Sequence, residues 1–107
     1  FLIEKKKEGK LVVGYGAAAK GNTLLNFAGV KSDLIRFVVD RSPHKQGKFM
    51  PGSRIPIVSE NHLVSDKPDF VVIFPWNLSA EISDQLKNLS SSGTEFVTAV
   101  PQLSVFR

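Results

Sequence analysis

The sequence predicts an α/β fold built on a mostly parallel sheet, and three observations carry that prediction. Short β-branched apolar runs alternate with stretches of helical composition. The first run, Leu11-Val12-Val13, leads straight into a glycine loop, Gly14-Tyr15-Gly16-Ala17-Ala18-Ala19-Lys20-Gly21. The second run ends at an acidic residue, Asp40. Parallel strands read as unbroken apolar runs because helices cover both faces of their sheet. A glycine loop between strand and helix is where such sheets hold a phosphate-bearing nucleotide.

The elements follow in order. Leu11–Val13 is a buried strand ending in glycines. From Ala17 to Ala28 the composition is helical, with Leu24, Leu25 and Ala28 on one face and Gly29 as the stop. Ile35 to Val39 is the second strand, and the polar segment from Arg41 to Arg54 is a loop marked by Pro43, Gly47, Pro51 and Gly52. Ile55-Pro56-Ile57-Val58 adds a short strand that Pro56 confines to an edge. Ser59 is placed to cap a short helix reaching Leu63 or Val64. Phe70–Phe74, the most hydrophobic stretch, is a central strand. One helix is expected over about Ser79–Ser90, with Ile82, Leu86 and Leu89 at helical spacing and Gly93 ending it. Glu95–Val100 is the last strand before Pro101.

Right-handed crossovers then favour a three-layer, Rossmann-like sandwich with strand order 3-2-1-4-5. Leu11–Val13 lies beside Phe70–Phe74 at the switch point, where the ligand crevice opens outside the carboxyl ends of the strands. Three loops meet there: Tyr15–Thr23, Asp40–Gly47 and Pro75–Leu78.

At 107 residues the chain is one domain, residues 1–107. It starts at Phe1, and Phe1-Leu2-Ile3 runs into charged residues like the end of a helix arriving from elsewhere. A piece of a longer protein is therefore expected. No window approaches the roughly 18 apolar residues of a membrane helix, and no secretory signal is present. With no cysteine, a disulfide framework, a thiolate zinc site and a thiol nucleophile are excluded. The expectation is a cytoplasmic domain without a membrane partner. The formal net charge of +4 favours acidic ligands such as phosphates. No nucleic-acid motif accompanies it, so no nucleic-acid partner is expected. Lys5-Lys6-Lys7, flanked by Glu4 and Glu8, reads as a solvated helix end.

Gly14-x-Gly16-x-x-Ala19 fits the loose dinucleotide fingerprint. The first glycine is expected to make the tight turn, and the second to let backbone amides approach a pyrophosphate. Plain tight turns use such loops too. Lys20 stands in the first helical turn, where the helix dipole disfavours a cation by about 0.3–1 kcal/mol. A bound anion reverses that penalty, whereas a lysine directed to solvent is the plainer alternative. Asn22 follows Gly21 where a Walker loop requires lysine, so NTP hydrolysis is not indicated.

Asp40 stands where an acidic residue meets a ribose hydroxyl in dinucleotide sites. Arg41, His44, Lys45 and Gln46 follow it, and Arg41 is suited to a bidentate phosphate contact. His62 reads as helix surface, and neither histidine reads as a metal ligand. Trp76 is open to three roles: stacking on a base, packing on a neighbouring domain, or covering its own core. Asn77 either caps the next helix or touches the ligand. Catalytic equipment is thin. Glu4, Glu60, Glu81 and Glu95 all fall where solvated residues would, and no catalytic or metal-ligating residue is assigned.

Several separated segments resemble one family. They are Val13 through Asn26, Val38 through Gly47, Pro51-Gly52 with Ile55-Pro56-Ile57, and Pro68-Asp69-Phe70 through Pro75-Trp76-Asn77-Leu78. Together, and in this order, they resemble the C-terminal domain of nucleotide-sugar C-methyltransferases over nearly the whole chain. One departure is Ala18, where the family commonly has proline.

The resemblance implies that a cysteine-rich zinc-binding segment and an S-adenosylmethionine-binding domain precede a domain like this one. It implies a substrate-binding role for Tyr15, Gly16, Ala17, Lys20, Gly21, Asn22, Thr23, Asp40, Arg41, His44, Lys45, Trp76 and Asn77, facing the methyl donor's domain. The partners would be a nucleotide-diphosphate sugar and that adjacent domain of the same chain. No cofactor is expected on this domain itself. Two alternatives stand beside it: an NAD(P)-binding domain of an oxidoreductase or sensor, and a docking module with a vestigial crevice.

Overall fold

The computed structural model describes residues 2–16, 32, 34–75, 78–98 and 104–106. These residues form six strands: β1 (Val12–Tyr15), β2 (Val38–Val39), β3 (Ile57–Val58), β4 (Phe70–Ile73), β5 (Glu95–Thr98) and β6 (Ser104–Phe106). They make one sheet in the order β3-β2-β1-β4-β5-β6. The first five pair in parallel, and β6 runs antiparallel to β5. The 3-2-1-4-5 order expected from the sequence is therefore present, with β1 beside β4. The sixth strand is an addition. Three residues carry too short a pattern to announce a strand, and β6 owes its place to pairing with β5 and to Phe106 packing 5.9 Å from the Phe96 ring.

Alternation along the strands sends side chains to two cores, one on each face. Val12, Val38, Phe70, Val72, Phe74 and Val97 belong to one, together with Met50 and Ile55 from the loop after β2. Val13, Tyr15, Val39, Val71, Ile73 and Phe96 belong to the other. The second face is covered by Leu63 of α2 (Asn61–Asp66), Ile82 of α3 (Ser79–Gln85) and Leu86. Leu2 of α1 (Leu2–Lys7) packs against the first. Burial on both sides explains the near-continuous apolar strands. A fully covered side chain such as Phe96 contributes roughly 1.5–3 kcal/mol.

Pro56 does mark an edge, since β3 is the outermost parallel strand. The loop folds back to close that edge. The Gly47 N–H donates to the Ile57 carbonyl (2.9 Å), the Ile57 N–H donates to the Lys48 carbonyl (2.8 Å), and Phe49 bridges Pro56 antiparallel. A covered edge offers no template for association.

Local details differ from the sequence expectation. The helix expected over Ser79–Ser90 is two pieces, α3 and α4 (Lys87–Ser91), separated at Leu86 with φ −103° and ψ 19°. The break leaves Leu86 buried and Leu89 packed on the same core. Ser59 is not the helix cap. Glu60 takes the N-cap position of α2 without a side-chain capping bond, because its carboxylate is engaged elsewhere. Among the described residues no helix is long and apolar enough to cross a membrane. The helix expected over Ala17–Ala28 with its stop at Gly29, and the strand end expected at Val100 before Pro101, lie outside the described residues.

Candidate functional site

Gly14 does not make the turn expected of it, and that duty falls to Gly16. Gly14 lies inside β1, opposite Val38 and Val72, and makes no turn. A Cβ there would come within 2.6 Å of Phe74 Cε2, so glycine is what lets the Phe74 ring fill the core. Gly16 makes the turn instead. Its φ of +92° is a conformation that L side chains rarely adopt, and a Cβ would meet Pro75 Cδ at 2.7 Å. Its N–H donates to the Val39 carbonyl at 2.7 Å, which ties the exit of β1 to the end of β2. The chain thus leaves β1 at the sheet's carboxyl edge, close against Pro75 at the end of β4.

Parallel pairing brings three strand ends together on that edge. β1 ends in Tyr15, Arg41 stands two residues beyond Val39, and Glu60 stands two residues beyond Val58. Val39 and Val58 are register partners, so Arg41 and Glu60 continue the same register past the sheet. Tyr15 points to the face that α2 covers. There its hydroxyl donates to Glu60 Oε1 at 2.8 Å, and Arg41 Nε donates to the same oxygen at 2.5 Å.

The electrostatics follow from this shared oxygen. Burial, reinforced by the hydrogen bond to Glu60 and its charge, pushes the Tyr15 phenol up to about 12. It remains a neutral donor at every physiological pH. The hydrogen bond to Glu60, and then its charge, raise Arg41 above its already high ordinary value. The Arg41 side chain is nonetheless 64% exposed, against 32% for Glu60. Its bond to Glu60 runs through Nε, and the terminal Nη1 and Nη2 carry no hydrogen bond among the described residues.

Glu60 is the residue that the sequence reading misplaced among solvated carboxylates. A signal existed: opposite charges stand at equal distances beyond two strands expected to be parallel neighbours. His62, by contrast, is a surface residue as expected, with its ring edge-on to Phe37 at 5.7 Å.

Asp40 lies at the end of β2 where expected, and its side chain has a structural duty. Oδ1 accepts the Ser42 N–H at 2.8 Å, which turns the chain sharply after the strand. The Asp40 carbonyl accepts Gln46 Nε2 at 2.8 Å and holds the far side of the same loop. His44 and Lys45 are exposed on the turn between these anchors. Tyr15, Gly16, Asp40 and Arg41 are thus brought together at one edge, with His44 and Lys45 on the adjoining loop. The candidate residues Ala17, Lys20, Gly21, Asn22, Thr23, Trp76 and Asn77 lie outside the described residues.

Comparison with known proteins identifies the family and the fold. The family described as the C-methyltransferase C-terminal domain matches residues 1–101. The C-methyltransferase NovU of Streptomyces niveus is 41% identical over 95 residues, which is 89% of this chain. The chain spans 23% of the length of that relative. Among solved structures, UDP-D-quinovosamine 4-dehydrogenase from Vibrio fischeri is similar with a TM-score of 0.65, over 92% of this chain and 93% of that one. At 17% identity the likeness is one of fold: the Rossmann-like α/β architecture. With a family match over nearly its full length and a curated relative well above chance identity, the chain belongs to the C-methyltransferase C-terminal domain family.

Proposed function

We propose that this chain is the substrate-binding C-terminal domain of an S-adenosylmethionine-dependent C-methyltransferase of the cytoplasm, and that it holds the nucleotide-diphosphate part of a nucleotide sugar. In this reading residues 1–107 are one domain. S-adenosylmethionine belongs to an adjacent domain of the same protein, and this one supplies no catalytic residue. The observation that carries the reading is that a positive-φ glycine turn after β1 and an exposed guanidinium after β2 stand at the same carboxyl edge of the sheet. Ligands of open α/β sheets bind at that edge.

Tyr15, Gly16, Ala17, Gly21, Asn22 and Thr23 frame the diphosphate, and Lys20 neutralises part of its charge. Arg41 offers paired donors to phosphate, while Asp40, His44 and Lys45 border the sugar side. Trp76 and Asn77 line the far wall, and Trp76, the single tryptophan, reports on occupancy through its fluorescence.

Calorimetric titration of the chain with thymidine diphosphate, uridine diphosphate, NAD(H) and NADP(H) tests the proposal. A nucleoside diphosphate is expected to bind, and Lys20→Ala to weaken it by about tenfold or more, the scale of one charge-assisted contact. Binding of a nicotinamide dinucleotide without binding of either diphosphate overturns it. So does methylation of a nucleotide sugar by the isolated chain, because the methyl-donor site is assigned elsewhere.

A further inference from the structure

We propose that Glu60 is a positioning residue for substrate recognition: by holding Arg41 through Nε, it presents the two terminal guanidinium nitrogens as a fixed fork for the diphosphate. The inference rests on the reading above, that a nucleoside diphosphate occupies this edge, and adds to it a residue that none of the sequence motifs assigned.

A bidentate contact to phosphate needs two parallel N–H donors at a set orientation, and an arginine on an exposed turn has many rotamers to lose before it supplies them. Here the guanidinium is anchored on its inner nitrogen. Glu60 Oε1 takes the Arg41 Nε–H at 2.5 Å, while Nη1 and Nη2 make no hydrogen bond among the described residues. Glu60 is itself anchored. The same oxygen accepts the Tyr15 hydroxyl at 2.8 Å, and Tyr15 is buried at the end of β1 with its ring in the core beneath α2. Rigidity passes from the core through Tyr15 and Glu60 to a side chain that is 64% exposed.

An ion pair serving stability alone has little reason to be built this way, since exposed pairs contribute little. Pre-organisation of the fork gives the arrangement a purpose, because immobilising a long side chain before binding removes that cost from the binding step. The opposing effect is plain as well. A carboxylate near the site repels a diphosphate, so its removal would strengthen binding if charge alone governed. Those two effects have opposite signs.

The experiment is a calorimetric titration with uridine and thymidine diphosphate of the wild-type chain, Glu60→Ala, Glu60→Gln, Arg41→Ala and the Glu60→Ala/Arg41→Ala double variant. Urea unfolding of each variant separates affinity from stability. Glu60→Ala is expected to weaken binding about fivefold, the scale of immobilising one long side chain, and Glu60→Gln to recover most of it by keeping an oxygen acceptor for both donors. The double variant is expected to bind no more weakly than Arg41→Ala, since positioning without the positioned group has no effect. Absorbance titration of Tyr15, the single tyrosine, is expected to show its phenol titrating lower in Glu60→Gln than in wild type. Equal or tighter binding by Glu60→Ala, or additive losses in the double variant, overturns the role of Glu60 while leaving the diphosphate site standing. Absence of diphosphate binding by the wild-type chain overturns both.

Discussion

The two ends of this sheet use polar side chains in opposite ways. At the amino ends, side chains close the backbone. Asp69 Oδ2 accepts the Leu11 N–H at 2.7 Å before β1 starts, and Thr94 Oγ1 donates to the Pro68 carbonyl at 2.6 Å before β4 and β5 pair. Each of these contacts satisfies a main-chain group that would otherwise be left at the margin of the core. At the carboxyl ends Asp40 and Gln46 still close the backbone of one turn, but three further side chains engage one another. Tyr15, Glu60 and Arg41 link three strand ends, and the last member is left largely in solvent. The amino edge uses its polar groups up, whereas the carboxyl edge spends two of them to hold a third outward. Parallel strands make that asymmetry possible, because all their carboxyl ends, with the loops that follow, fall on one side.

Substitutions at the two ends should therefore separate stability from affinity. The largest loss is expected from Gly16→Ala. It combines a left-handed backbone with a collision at Pro75 and should cost about 2–4 kcal/mol in urea unfolding, together with ligand binding. Retention of both would mean that the turn relaxes easily and that the carboxyl edge is less constrained than its geometry requires.

Next in size is Asp69→Ala at the amino edge. Leaving the Leu11 N–H without its acceptor should cost about 1–2 kcal/mol with nucleoside-diphosphate affinity unchanged. A fall in affinity there would erase the distinction between the two ends.

An effect confined to alkaline pH is the behaviour of Tyr15. Its phenol titrates near 12 in the folded chain against 10 when unfolded, so the folded state holds the proton more tightly. The stability this gives is complete below pH 10 and is lost as pH rises from about 10 to about 12. Denaturation across that window should show the decline in wild type, with Tyr15→Phe lacking this contribution. A Tyr15 phenolate signal appearing near pH 10 in the folded protein would mean that the hydroxyl is neither buried nor held by Glu60.

Much of the fold was legible because it rests on local patterns. Apolar runs such as Phe70–Phe74 and the punctuation after Val13 and Val39 announce buried parallel strands, and Pro56 announces an edge because it has no N–H to donate to a further strand. The site was legible only where residues follow strands directly: Asp40 and Arg41 stand at the edge where their positions place them. Glu60 was misjudged because its partners lie 45 and 19 residues away, across strand pairings that periodicity does not encode. The glycines were recognised but the turn was placed one glycine too early, since the strand continues through Gly14 to Tyr15 and only packing against Phe74 reveals why the first must be small.

Taken alone, the order of residues determined the α/β class, the parallel sheet around β1 and β4, and the family, because hydrophobic period, turn residues and spaced motifs are all written along the chain. The folded molecule decided which charges meet. Hydrogen bonding between Tyr15, Glu60 and Arg41 depends on the register of three strands and on the side chains' rotamers, and those emerge only when both faces of the sheet are buried at once.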